Sequence, residues 1–114
     1  MPSAQQLSTI QAALAQVNPA IPTVQGFVKQ ATDPGDKLQL TQYSILLTNT
    51  QTALTEAQVA TDNAVFAADT AKLNALAAAL KKQAASIGKV LTAIDTAGKL
   101  AGYVAKVIEL IGKI

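Results

Sequence analysis

Asp62 and Asp69 stand seven residues apart, on one face of any helix that carries both, and Lys72 follows three residues on. They are the nearest thing in this chain to the paired carboxylates of acid–base catalysis. The remaining composition gives them no support. The chain has no histidine, no cysteine and no arginine, so it lacks the usual neutral-pH base, the thiol nucleophile, the commonest zinc ligands and the bidentate phosphate reader. A run of hydroxyls, Ser44, Thr48, Thr50, Thr52 and Thr55, has no neighbouring base to activate it. A di-metal carboxylate bundle requires several inward Glu and His residues, and this chain has two Glu and no His. The expectation is a protein that is not an enzyme, with no catalytic residues, no metal and no cofactor.

The residues with more to offer are suited to association. Gly98 and Gly102 are four apart, and Ala93, Ala97, Ala101 and Ala105 form a parallel row. Small residues at this spacing let two helix backbones approach closely, within one chain, between copies or in a bilayer. Around them Ile87, Val90, Ile94, Ala97, Ala101, Val104, Ile108 and Ile111 alternate by threes and fours, the spacing of a packed helical seam. These residues, with Gly98 and Gly102, make a candidate interaction face. Lys89, Lys99, Lys106 and Lys113 border it and are candidate lipid-facing lysines of an amphipathic surface helix. Without arginine or stacking aromatics, dispersed lysines do not make a nucleic-acid platform, so no nucleic-acid partner is expected.

The elements that must position these residues are helical. Among 114 residues, 50% are hydrophobic, enough for one folded domain. Much of that share is alanine, with two Phe, two Tyr and no Trp, so the core is thin and the helix propensity high. Ser3 and Gln6 read as a capping box for a helix over residues 3–17. Asn18-Pro19 and Pro22 interrupt it, so residues 3–32 are either one kinked helix or two short ones, the second over 19–32. Asp33-Pro34-Gly35-Asp36 is a turn. No Gly or Pro occurs from Lys37 to Ile87. Tyr43, Leu54, Val65, Leu76 and Ile87 recur every eleven residues there, which predicts one long, nearly straight helix over about 37–86. A C-terminal helix over 87–113 completes the domain. The architecture expected is an all-α, elongated hairpin or bundle around the long helix. The alternative is a compact four-helix bundle broken near 61–63, where Thr61, Asp62 and Asn63 favour a turn.

In general pattern, long Ala-, Thr- and Gln-rich helices ending in an apolar segment are similar to those of helical pore-forming toxins and of phage or secretion-system assembly proteins. No motif of any one family accompanies that pattern. The function expected is a non-enzymatic helical interaction or self-assembly protein, partnered by a second copy or another helical protein. The alternative is a membrane-active protein whose residues 87–114 engage lipid, either at a membrane surface or as a pore. The N-terminus has no basic region followed by a long apolar run, and no eighteen-residue stretch is both uncharged and mainly apolar. The location expected is cytoplasmic, or outside the cell by a non-classical route.

Overall fold

The computed structural model describes residues 2–91 and 97–114. Four long helices, α1 (Ala4–Gln30), α2 (Pro34–Gln58), α3 (Asn63–Ser86) and α5 (Ala97–Lys113), surround one core, and a single turn, α4 (Gly88–Leu91), follows α3. The helices run up, down, up and down. Helix α1 packs against α2 and α5, and α3 closes the ring between the same two, with its seam to α5 the sparsest. The molecule is all-helical and measures 46 × 19 × 19 Å. A continuous helix over 37–86 would be about 75 Å long, so it does not fit within those dimensions.

The chain breaks at 59–62 instead. Helix α2 unwinds through Val59 and Ala60, whose amides donate to the carbonyls of Glu56 and Ala57. Asp62 is then extended, and its carboxylate accepts the Val65 amide at 2.7 Å, capping α3. The eleven-residue stripe does not survive the break: Tyr43 and Leu54 are buried, while Val65 is 46% exposed. The operative period is seven. Helix α2 buries Leu40, Tyr43, Leu47, Thr50, Leu54 and Ala57, whereas α3 buries Phe66, Leu73 and Leu80, a register that no unbroken helix shares. Lys72 Nζ lies 3.6 Å from Glu56 Oε2, although residues sixteen apart on one helix would be separated by about 24 Å.

Helix α1 decides between the two readings of the N-terminal stretch in favour of a single helix. Residues 3–17 and 19–32 do not form separate helices; one helix runs through Pro19 and Pro22. Each proline removes an amide donor and disfavours the helix interior by about 3 kcal/mol. Offsetting that, Ile10, Ala13, Val17, Ala20, Val24 and Phe27 keep a single buried register on both sides of the prolines. The core holds the backbone helical where the local sequence would break it. Asn18 caps no second helix; its side-chain oxygen accepts from Gln51 Nε2 on α2 at 2.6 Å. The expected capping box is present, with Ser3 and Gln6 exchanging bonds of 2.9 and 3.1 Å. The turn at 33–36 is shorter than expected, because Asp33 is the cap and Pro34 already opens α2. The helix expected over 87–113 is described as α4 and α5; residues 92–96 between them lie outside the described residues.

Candidate functional site

The candidate interaction face is divided between the inside and the outside of the bundle. Ile87, Val104 and Ile111 are in the chain's own core, and Val90 and Ile108 pack at its margin. The seam of α5 is turned one residue from the expected register: Leu100, Val104, Val107 and Ile111 are buried, while Ala101 is exposed. The cause is the charged strip of Lys99, Lys106, Glu109 and Lys113, which faces solvent and rotates the opposite side of the helix inward. Ile94 and the side chain of Ala97 lie outside the described residues.

Apart from the charged strip, what remains outside on α5 is small. Gly98, Ala101, Gly102 and Ala105 are all exposed. A methyl group built on Gly98 or Gly102 would meet nothing within 4 Å, so these glycines do not serve a close backbone approach among the described residues. Helix α3 has the same character and was missed in the sequence. With Phe66, Leu73 and Leu80 inward, Ala64, Ala68, Ala71, Ala75 and Ala78 point outward and are exposed. Over this stretch α3 has only two charged residues, Asp69 and Lys72, and Lys72 pairs with Glu56. The signal that could have found this face is the seven-residue spacing of Phe66, Leu73, Leu80 and Ile87, which sets those alanines on the far side.

The carboxylates seen as a potential acid pair separate into structural roles. Asp62 caps α3. Asp69 has one oxygen, Oδ2, buried with no hydrogen-bond partner. Among the described residues, no group of three or more His, Cys, Asp or Glu side chains is placed to hold a metal ion. The candidate lipid-facing lysines also diverge. Lys106 and Lys113 both reach Glu109, at 3.5 and 3.2 Å. The Lys113 hydrogen bond and the nearby Lys106 charge hold the Glu109 carboxyl below its usual range. Lys99 is exposed, and the Lys89 side chain lies outside the described residues. No helix among the described residues is long and apolar enough to cross a membrane.

Two open grooves line the flanks of α2. One, of roughly 400 Å³, lies between α2 and the end of α3, bordered by Gln39, Gln42, Ala79, Lys82 and Gln83. The other, of roughly 340 Å³, lies between α1 and α2 beside Val28, Lys29 and Thr41. Neither gathers a nucleophile, a base and an oxyanion donor. Compared with protein-family models, curated proteins and solved structures, the chain matches none.

Proposed function

We propose that this protein is a non-enzymatic helical assembly module that packs against a second copy of itself through the small-residue faces of α3 and α5. The observation that carries the reading is the exposed alanine row of α3, Ala64 to Ala78, about 21 Å of helix at ~1.5 Å per residue. Alanines at this spacing let a facing helix come close, and solvent gains little from contact with them. A second copy suits the face because it is nearly uncharged, so two-fold self-docking sets no like charges against each other. Two such narrow faces make a small interface, so weak association is expected.

Sedimentation equilibrium from micromolar to high-micromolar concentration tests this reading. The chain is expected to pass from monomer to dimer, and Ala71→Glu with Ala75→Glu to hold it monomeric. Gly98→Leu with Gly102→Leu weakens the dimer if α5 shares the contact. A chain that stays monomeric throughout would refute self-assembly, and capture of a different helical protein on the same alanines would reassign the partner.

A membrane-active role for residues 87–114 is the second reading, and the sparse seam between α3 and α5 supports it. In this reading α5 must leave the bundle, because its apolar side chains Leu100, Val104 and Val107 are occupied by the core. Dye leakage from vesicles, abolished by holding α5 in place with an engineered disulfide to α1, is the expected result.

A further inference from the structure

Charge is distributed unevenly along the bundle axis. Among the described residues, every ion pair lies in the half where α2 ends and α3 begins: Lys72 with Glu56, and Lys106 and Lys113 with Glu109. Asp62 and Asp69 belong to that half as well. The opposite end brings together the last turn of α1, the first turn of α2 and the last turns of α3. Lys29, Lys37, Lys81 and Lys82 are exposed there, and none of them makes an ion pair among the described residues. The groove shared by Gln39, Gln42 and Lys82 shows that the start of α2 and the end of α3 are side by side. Among the described residues, Asp33 and Asp36 are the acidic residues at this end, and the Asp33 carboxylate is engaged in accepting the Asp36 amide at 3.0 Å. Beside Lys37, Leu38 is 58% exposed.

We infer that this end of the bundle is a docking surface for an anionic lipid bilayer. Four lysines on three helix termini would meet lipid headgroups as point charges, and Leu38 would enter the boundary of the acyl chains. Two features favour lipid over nucleic acid: the end has no exposed aromatic or arginine to stack on or read a base, and an exposed leucine among lysines suits an interface that is charged outside and apolar within. The lysines and Leu38 of this surface belong to α1, α2 and α3, and docking through them leaves α5 in the bundle, so binding is expected without leakage. Lys82 adjoins the C-terminal end of the alanine row on α3, whereas Lys29, Lys37 and Leu38 lie on other helices.

Co-sedimentation of the full chain with vesicles tests the inference, using phosphatidylcholine alone and phosphatidylcholine with phosphatidylserine. Binding is expected only with phosphatidylserine and is expected to weaken as salt rises. At about fivefold per lysine, Lys81→Gln with Lys82→Gln should lower the partition coefficient about 25-fold. Leu38→Asn should lower it about tenfold. The control is Lys72→Gln with Lys106→Gln, which removes the same charge from the other end and should cost far less. All these positions are exposed, and unchanged helical circular dichroism confirms that each variant is folded. Absence of binding to phosphatidylserine vesicles at low salt would overturn the inference. So would equal losses at the two ends, or displacement from vesicles by duplex DNA of matched charge.

Discussion

Truncating Leu73 tests how the bundle holds its third helix. Helix α3 buries only Phe66, Leu73 and Leu80, and Leu73 is the middle one, fully buried. Leu73→Ala deletes three carbon atoms, a loss of about 2.4 kcal/mol at ~0.8 kcal/mol each. A residual cavity adds to this, giving about 3 kcal/mol within the usual span for such truncations. A domain of this length is stable by roughly 6 to 17 kcal/mol, so one side chain takes a substantial fraction of the total. In urea denaturation followed by helical circular dichroism, with a slope of about 1.5 kcal/mol per molar, the midpoint should fall by about 2 M at unchanged slope. Leu38→Ala removes the same atoms from an exposed site and should move the midpoint little. If the two variants shift it equally, Leu73 is not an anchor, and the register assigned to α3 is wrong.

Three further outcomes follow from individual side chains. Asp69→Ala is expected to stabilise the fold by about 1 kcal/mol, because it removes a buried oxygen without a partner and raises helix propensity; a loss of stability in urea denaturation would show that the carboxylate has a partner after all. Burial raises the Tyr43 phenol above its ordinary value, so its neutral form favours folding. That contribution is intact below about pH 10 and is lost as pH rises further, so Tyr43→Phe should flatten the alkaline fall of thermal stability relative to the parent. Gly26 lies inside α1, where an added methyl group would meet nothing within 4 Å, so Gly26→Ala should raise stability by about 0.5 to 1 kcal/mol in the same denaturation assay.

Alanine-rich composition, the absence of Gly and Pro over a long stretch, and the Ser3–Gln6 box dictate helices locally, because propensity and capping act within a few residues. The lack of His, Cys and Arg likewise limits the available chemistry without any knowledge of the fold. The tertiary structure decided where helices stop and which way they face. Pro19 and Pro22 read as breaks, yet the buried row from Ile10 to Phe27 carries α1 through them. Thr61, Asp62 and Asn63 are compatible with either a helix or a cap, and the turn prevails because it lets Phe66, Leu73 and Leu80 reach the same core as Leu40 and Leu54. The candidate interaction face divides for the same reason. Val104 and Ile111 on one side of α5 are claimed by α1 and its neighbours, while Gly98 and Gly102 remain outside. Periodicity in a helical sequence shows that an apolar stripe exists; which residues lead it inward depends on the neighbouring helices, and those are set by packing across the whole chain.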